Sequence, residues 1–227
     1  MLHAPSSTSN CRTFLETGVI PIIHEVHIKQ LNFLYHILSL SEDDPVKINY
    51  LEQKKYPAYN WANEVAALLK KYDIDETEEE EIVAYSKKNW KSLVKSKVRK
   101  HAFEALVKEA AEQKNPVDAS SYLNMCQQPY LTDLPPADAR RVFHLRTNTI
   151  DLKTVRKYQY DDNTICRLCE TEDATLTHVV NKCPDVPREM ELPNVYTTNC
   201  DQLKQIAARL SRFYELIDSR QDEAVGD

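Results

Sequence analysis

Four residues carry the strongest chemical signal in this 227-residue sequence: Cys166, Cys169, His178 and Cys183, spaced C-x2-C-x8-H-x4-C. Two thiolates two residues apart grip one cation from a tight turn. A His and a Cys on a following helical turn complete a tetrahedron. Four protein ligands close such a site and leave no position for an activated water, so the spacing predicts one structural Zn2+. Cys11, Cys126 and Cys200 stand alone along the chain. The Met1-Leu2-His3-Ala4-Pro5 start has neither the basic region nor the apolar stretch of a secretory signal. No window approaches the ~18 consecutive apolar residues of a membrane span. The expected setting is intracellular, nucleus or cytoplasm, with no membrane partner. There, clustered cysteine means metal more often than disulfide.

Other constellations fall short of chemistry. Gln159-Tyr160-Asp161-Asp162 imitates a polymerase metal signature, but two-metal catalysis needs an apolar hairpin around the pair and a third carboxylate. Lys157 and Asn163-Thr164 flank it instead. Asp185, Asp201 and Lys204 lack the acidic-x-Lys spacing of a nuclease centre. His24, His27 and His36 fall in one amphipathic helix and His101 in a Lys-rich one, where packed or solvated histidine is the expectation. Gly18 and Gly226 are the only glycines, so no phosphate-cradling loop can be written. The expectation is a protein that is not an enzyme by itself.

Charge supplies the second signal. The formal net charge is −6, and Asp73 to Glu81 carries seven carboxylates with no Lys or Arg. From Lys87 to Lys114, nine basic residues stand against three acidic ones. A second basic segment holds Arg140, Arg141, Arg146, Lys153, Arg156 and Lys157. A Lys-rich helix is commonly just a solvated face, but a basic stripe on an acidic protein can also bind polyanions. The candidate nucleic-acid contacts are those six residues, with Lys87, Lys91, Lys95 and Arg99 as a second group. The finger itself has no Phe, Trp or Tyr between Cys166 and Cys183, and its Arg167 and Lys182 are outnumbered by Glu170, Glu172 and Asp173. Neither base stacking nor phosphate attraction is built into it. Bracing neighbouring helices is the other use of such a site, since metal-binding energy is also folding energy.

The elements that must hold these residues read as helices, because hairpin-rich folds want glycine in their turns. The expected fold is mostly α: a helical bundle, then a small CCHC zinc-knuckle module and a C-terminal helix. Residues 1–20 read as a flexible leader, 21–115 as the helical domain and 116–136 as a Pro-containing linker. Residues 137–200 hold basic helices, in a hairpin from Ala137 to about Lys157, plus the zinc module. Residues 201–219 form an amphipathic helix capped by Asp201, and 220–227 a tail. Apolar spacing marks a helix from Pro21; Asp44-Pro45 and Asn60 read as helix starts. Thr77 with Glu80 reads as a capping box. It opens a long helical stretch toward Lys114 that breaks near Ser86. Leu203, Ile206, Leu210, Phe213 and Ile217 make a stripe too short to stand alone. It packs on this chain's own helices or on a protein partner.

The residues from Arg140-Arg141-Val142-Phe143-His144-Leu145-Arg146-Thr147 through Cys166-Arg167-Leu168-Cys169, Glu172-Asp173-Ala174-Thr175 and His178 to Cys183-Pro184 carry a resemblance. They resemble the C-terminal region of LINE-type (non-LTR) retrotransposon reverse transcriptases, where an arginine-rich helix precedes a CCHC zinc motif. The similarity spans roughly residues 21–218, and only 140–184 is motif-like. It implies a non-catalytic zinc-containing region that binds RNA or single-stranded nucleic acid, without the polymerase or endonuclease domains. The alternative is a zinc-stabilised protein–protein interaction scaffold, with the 203–217 helix as its docking face.

Overall fold

The computed structural model describes residues 8–74, 79–113, 122, 125–150, 152, 163–186 and 196–225. The helices are α1 (Asn10–Thr17), α2 (Ile22–Leu38), α3 (Pro45–Lys54), α4 (Trp61–Lys71), α5 (Glu79–Ala84), α6 (Lys87–Ala111), α7 (Tyr130–Asp133), α8 (Pro136–Arg146) and α9 (Cys200–Val225). A π-helical turn covers His178–Lys182. Among the described residues there is no β-strand, only an antiparallel bridge between Ile165 and Asp173. The chain divides into two compact units. One is continuous, Val19–Lys108. The other is assembled from Met1–Gly18 and Glu109–Asp227.

In the continuous unit, local chemistry sets the helix ends. Asp44 caps α3 by accepting from the Val46 amide at 2.8 Å, with Pro45 as the first helical residue. Asn60 caps α4 through the Asn63 amide at 3.0 Å. The expected break falls at Ser86, whose hydroxyl accepts from the Asn89 amide at 3.2 Å and starts α6. Thr77 lies outside the described residues. The buried line of α6, Trp90, Val94, Val98 and Ala102, repeats every four residues, as one face of a helix must. Trp90 stacks on Tyr35 and donates from its indole to the Leu31 carbonyl at 3.2 Å, so the core's largest side chain leaves no polar atom unpaired. Lys47 is buried and ties α3 to the end of α2. Its ammonium donates to the Leu38 and Leu40 carbonyls and to Glu42, a cation where a helix exposes its last carbonyls.

The discontinuous unit departs from the sequence expectation in three places. The leader contains α1, which buries Cys11, Arg12, Leu15 and Glu16. It ends at Gly18 with φ of 67°, where an added Cβ would lie 2.2 Å from the Gln127 nitrogen. Only glycine fits that left-handed close approach. The Pro-containing linker holds α7, and its Tyr130 and Leu134 belong to the unit's core. The last helix is capped by Asn199, whose side-chain oxygen Oδ1 accepts from the Asp201 and Gln202 amides. It runs on to Val225, past the expected end at 219. Its stripe Leu203, Ile206, Leu210, Phe213 and Ile217 is buried with Val142, Phe143 and Val179. The face offered as an alternative protein-docking surface is thus consumed by the unit's own core. Of the stretch expected as a hairpin over 137–157, α8 covers the first part, ending at Arg146. Residues 153–157 lie outside the described residues.

Candidate metal centre and basic surfaces

The metal motif is built on two short backbone devices. From Cys166 to Cys169 the chain makes a tight turn, closed by the Glu170 amide on the Cys166 carbonyl at 3.1 Å, with Glu170 in the left-handed region at φ 55°. The Cys166 amide in turn donates to the Glu172 carbonyl at 2.8 Å. The second device is the π turn. On an α-helix a residue five positions on sits about 140° round the axis, which would point Cys183 away from His178. The Cys183 amide instead bonds the His178 carbonyl, an i to i+5 closure that brings both side chains to one side. Thr175 starts the turn by accepting from the His178 amide at 3.1 Å.

These devices bring the four ligand atoms within 4.8 Å of one another. The Cys166 and Cys183 sulfurs are 4.0 Å apart, and Cys169 Sγ is 3.3 Å from His178 Nε2. A tetrahedron with metal–ligand distances of about 2.0–2.3 Å has edges of about 3.3–3.8 Å; the Cys169–His178 separation falls in that range and the Cys166–Cys183 one is somewhat wider, so the cluster could close on one metal ion. Cys166, His178 and Cys183 are buried and Cys169 is half-buried. His178 Nδ1 lies 3.0 Å from Glu172 Oε2. That carboxylate fixes the ring so that Nε2 faces the cluster, a familiar role for an outer partner of a metal-binding histidine.

The thiols differ in what surrounds them. Burial pushes Cys169 up. Hydrogen bonds from the Thr171 hydroxyl, the Thr171 and Glu172 amides and Cys166 outweigh it and bring the thiol down to about 6. Burial first, and then the neighbouring Cys166 and Cys169 charges, push Cys183 up to about 12. A cluster that holds the Cys169 thiolate readily and resists the one at Cys183 is one that a cation would complete.

The basic residues divide by unit. In the continuous unit, Lys87, Lys91 and Lys95 are exposed and recur every four residues, in a line about 100° round α6 from the buried one. No ion pair joins them to an acid among the described residues. Arg99 continues the line and is half-buried.

In the discontinuous unit the expectation for Arg146 is overturned. Arg146 is 1 % exposed, and its Nε donates to Glu16 Oε1 at 2.9 Å. Tyr122, Tyr130 and Tyr196 surround its guanidinium with ring centroids 5.4–5.7 Å away. Tyr122 and Tyr130 also donate their hydroxyls to Glu16. Burial pushes Arg146 down, and Glu16 with the tyrosines outweighs it and holds the guanidinium above its ordinary value. A guanidinium in an aromatic cage with a buried counter-ion is a structural part rather than a phosphate contact. Arg141 donates to Asp138 at 3.0 Å, and Arg140 is half-buried. Lys153, Arg156 and Lys157 lie outside the described residues.

No protein-family model, no curated protein and no solved structure matches the chain. No helix among the described residues is long and apolar enough to cross a membrane. Two features escaped the sequence. Glu172 lies in the acidic stretch before His178, but only geometry assigns it to the imidazole. Glu16 lies in the supposed leader, where a lone carboxylate between Leu15 and Thr17 gives no sign of a partner 130 residues away.

Proposed function

We propose that the protein is a non-catalytic, zinc-containing nucleic-acid-binding region related to the C-terminal part of a non-LTR retrotransposon reverse transcriptase. The observation that carries this reading is the convergence of Cys166, Cys169, His178 and Cys183 within 4.8 Å, in the spacing that the resemblance requires. Three sulfurs and one imidazole suit a soft, tetrahedral ion, and with four protein ligands the site is structural zinc. Cys166, Cys169, His178 and Cys183 hold the ion and brace the discontinuous unit. The nucleic-acid contact is the Lys87, Lys91 and Lys95 line of α6. RNA or another single strand is its partner, bound through phosphates and without base readout.

The second reading is a zinc-stapled protein scaffold. It is favoured by Arg146, which the fold uses internally, so that the arginine-rich helix loses a phosphate contact. A salt series separates the two. Labelled single-stranded RNA titrated with zinc-loaded protein should lose affinity along a log–log line in salt. Reversing charge at Lys87, Lys91 and Lys95 should flatten that line. Absence of binding at low salt selects the scaffold.

A further inference from the structure

The exposed large apolar side chains are concentrated in the continuous unit, and some of them line a groove. Where α2, α3 and the start of α4 meet, Phe33, Val46, Tyr50 and Trp61 enclose a groove of about 470 Å3 over a floor that includes the buried Ile37. That volume lies in the range of sites that take up side chains or small ligands. Its walls are aromatic: Phe33 and Tyr50 each meet the Trp61 ring edge-on, at 5.5 and 6.0 Å. Phe33 and Val46 are each about half exposed, at 48 % and 47 %. Such apolar surface left in water at a concave place is characteristic of an interaction site. On the α3 side, Gln53 donates to Asn49 at 2.8 Å and accepts from the Ala62 amide. The amides at the rim are therefore held in place.

The charge at one end of the groove identifies the class of occupant. Pro45 and Val46 line it, and immediately before them stand Asp43 and Asp44. Asp44 is engaged as the cap of α3. Asp43 is exposed just outside the helix, and the Ser41 hydroxyl, followed by its own backbone, keeps its carboxyl below the usual range. Glu42 already has its cation in Lys47. No cation pairs with Asp43 or Asp44 among the described residues. This end repels phosphate and attracts Lys or Arg.

We propose that the α2–α3–α4 groove docks a peptide segment of a partner protein, in which apolar anchor side chains are flanked by Lys or Arg. The anchors seat against Phe33, Tyr50 and Trp61, and the basic flank meets Asp43 and Asp44. This surface is separate from the α6 lysines, so it stands whether or not those bind nucleic acid.

The test uses the full chain and a labelled synthetic amphipathic peptide, with leucines at i, i+3, i+4 and i+7 and lysines at one end. Trp61 is a built-in reporter, because the other tryptophan, Trp90, is fully buried. Saturable binding with a change in Trp61 emission is expected. Phe33→Ala, Asp43→Lys and a glutamate-for-lysine peptide should each weaken it by about tenfold. Both substituted side chains are exposed, so far-UV circular dichroism should stay unchanged. No saturation, or unchanged affinity in Phe33→Ala, overturns the proposal. So does a single-stranded oligonucleotide that displaces the peptide and shifts Trp61 emission, which would make the occupant a nucleic acid.

Discussion

The two units are both helical, and they are held together by different means. In the continuous unit the helix ends are set by neighbours in sequence, with Asp44 and Asn60 capping the helices they precede and Ser86 starting α6, and the core is one cluster of aliphatic and aromatic side chains. The discontinuous unit adds to its own apolar core a charge pair brought from far apart and a cluster of ligand atoms. Glu16 meets Arg146, and four Cys and His residues meet across an irregular loop and a π turn. A helix with an apolar stripe needs only another stripe, and many registers satisfy it. A buried ion pair or a tetrahedral cluster is satisfied in one arrangement and is costly in every other. The first kind of unit tolerates change, and the second specifies position.

That contrast can be broken by experiment, and the metal gives the largest effect. Cys169→Ser should abolish zinc binding and remove hydrogen-exchange protection from the discontinuous unit, a loss on the scale of ~10 kcal/mol for structural zinc. Residues 19–108 should keep their protection. Cys126→Ser should leave zinc content unchanged, and equal zinc in the two variants would refute the ligand assignment. Next comes the caged ion pair. Arg146→Ala leaves Glu16 charged and buried, which should cost about 3–5 kcal/mol. Denaturant unfolding followed by exchange should show that loss in the discontinuous unit alone.

The continuous unit should answer to pH instead. His24 and His27 on α2 both approach the Tyr72 hydroxyl, and His101 on α6 packs against the same ring. Burial, then Lys71, His27 and His101, lower His24 from 6.5 to about 4. Burial and Lys71 also lower His27, with Glu64 opposing. Between those two values for His24, the unfolded chain binds protons that the folded one refuses. Stability is therefore full above about pH 6.5 and falls as pH drops toward 4. Both tryptophans lie in this unit, so a thermal melt followed by Trp fluorescence reads it selectively, and His24→Asn should flatten the dependence. The smallest effect sharpens the metal turn. Glu170→Gly relieves a left-handed residue worth about 1–2 kcal/mol and returns about 0.5–1 kcal/mol to unfolded-state entropy. The net gain should lie between about 0 and 1.5 kcal/mol, visible as slightly tighter metal retention against a chelator.

The same contrast governs what the sequence could disclose. The Cys and His spacing, the caps at Asp44 and Asn60 and the break at Ser86 are local signals, and each appears where its chemistry requires. Arg146 reads as one basic residue among several, because its partner Glu16 and its three tyrosines are scattered over distant segments. Tyr130 reads as part of a linker because prolines surround it, although Pro135 and Pro136 serve to start α8. Periodicity tells which side of an element is apolar. It does not tell which remote residue will close a charge or a cluster. Asn199 instead of Asp201 at the start of α9 is a smaller case: neighbouring residues can both cap, and the backbone selects between them.

The pairing of Glu16 with Arg146 also bears on how the chain is made. The guanidinium that α1 needs is made 130 residues after its carboxylate, roughly 10 s later at common elongation rates. An eight-residue helix is not stable alone in water. During that interval α1 lacks the partner for its carboxylate, while the continuous unit, residues 19–108, is completed and can fold behind it. The segment that carries Glu16 is thus made before the guanidinium that pairs with it, and α1 can lock onto its unit only once α8 has followed.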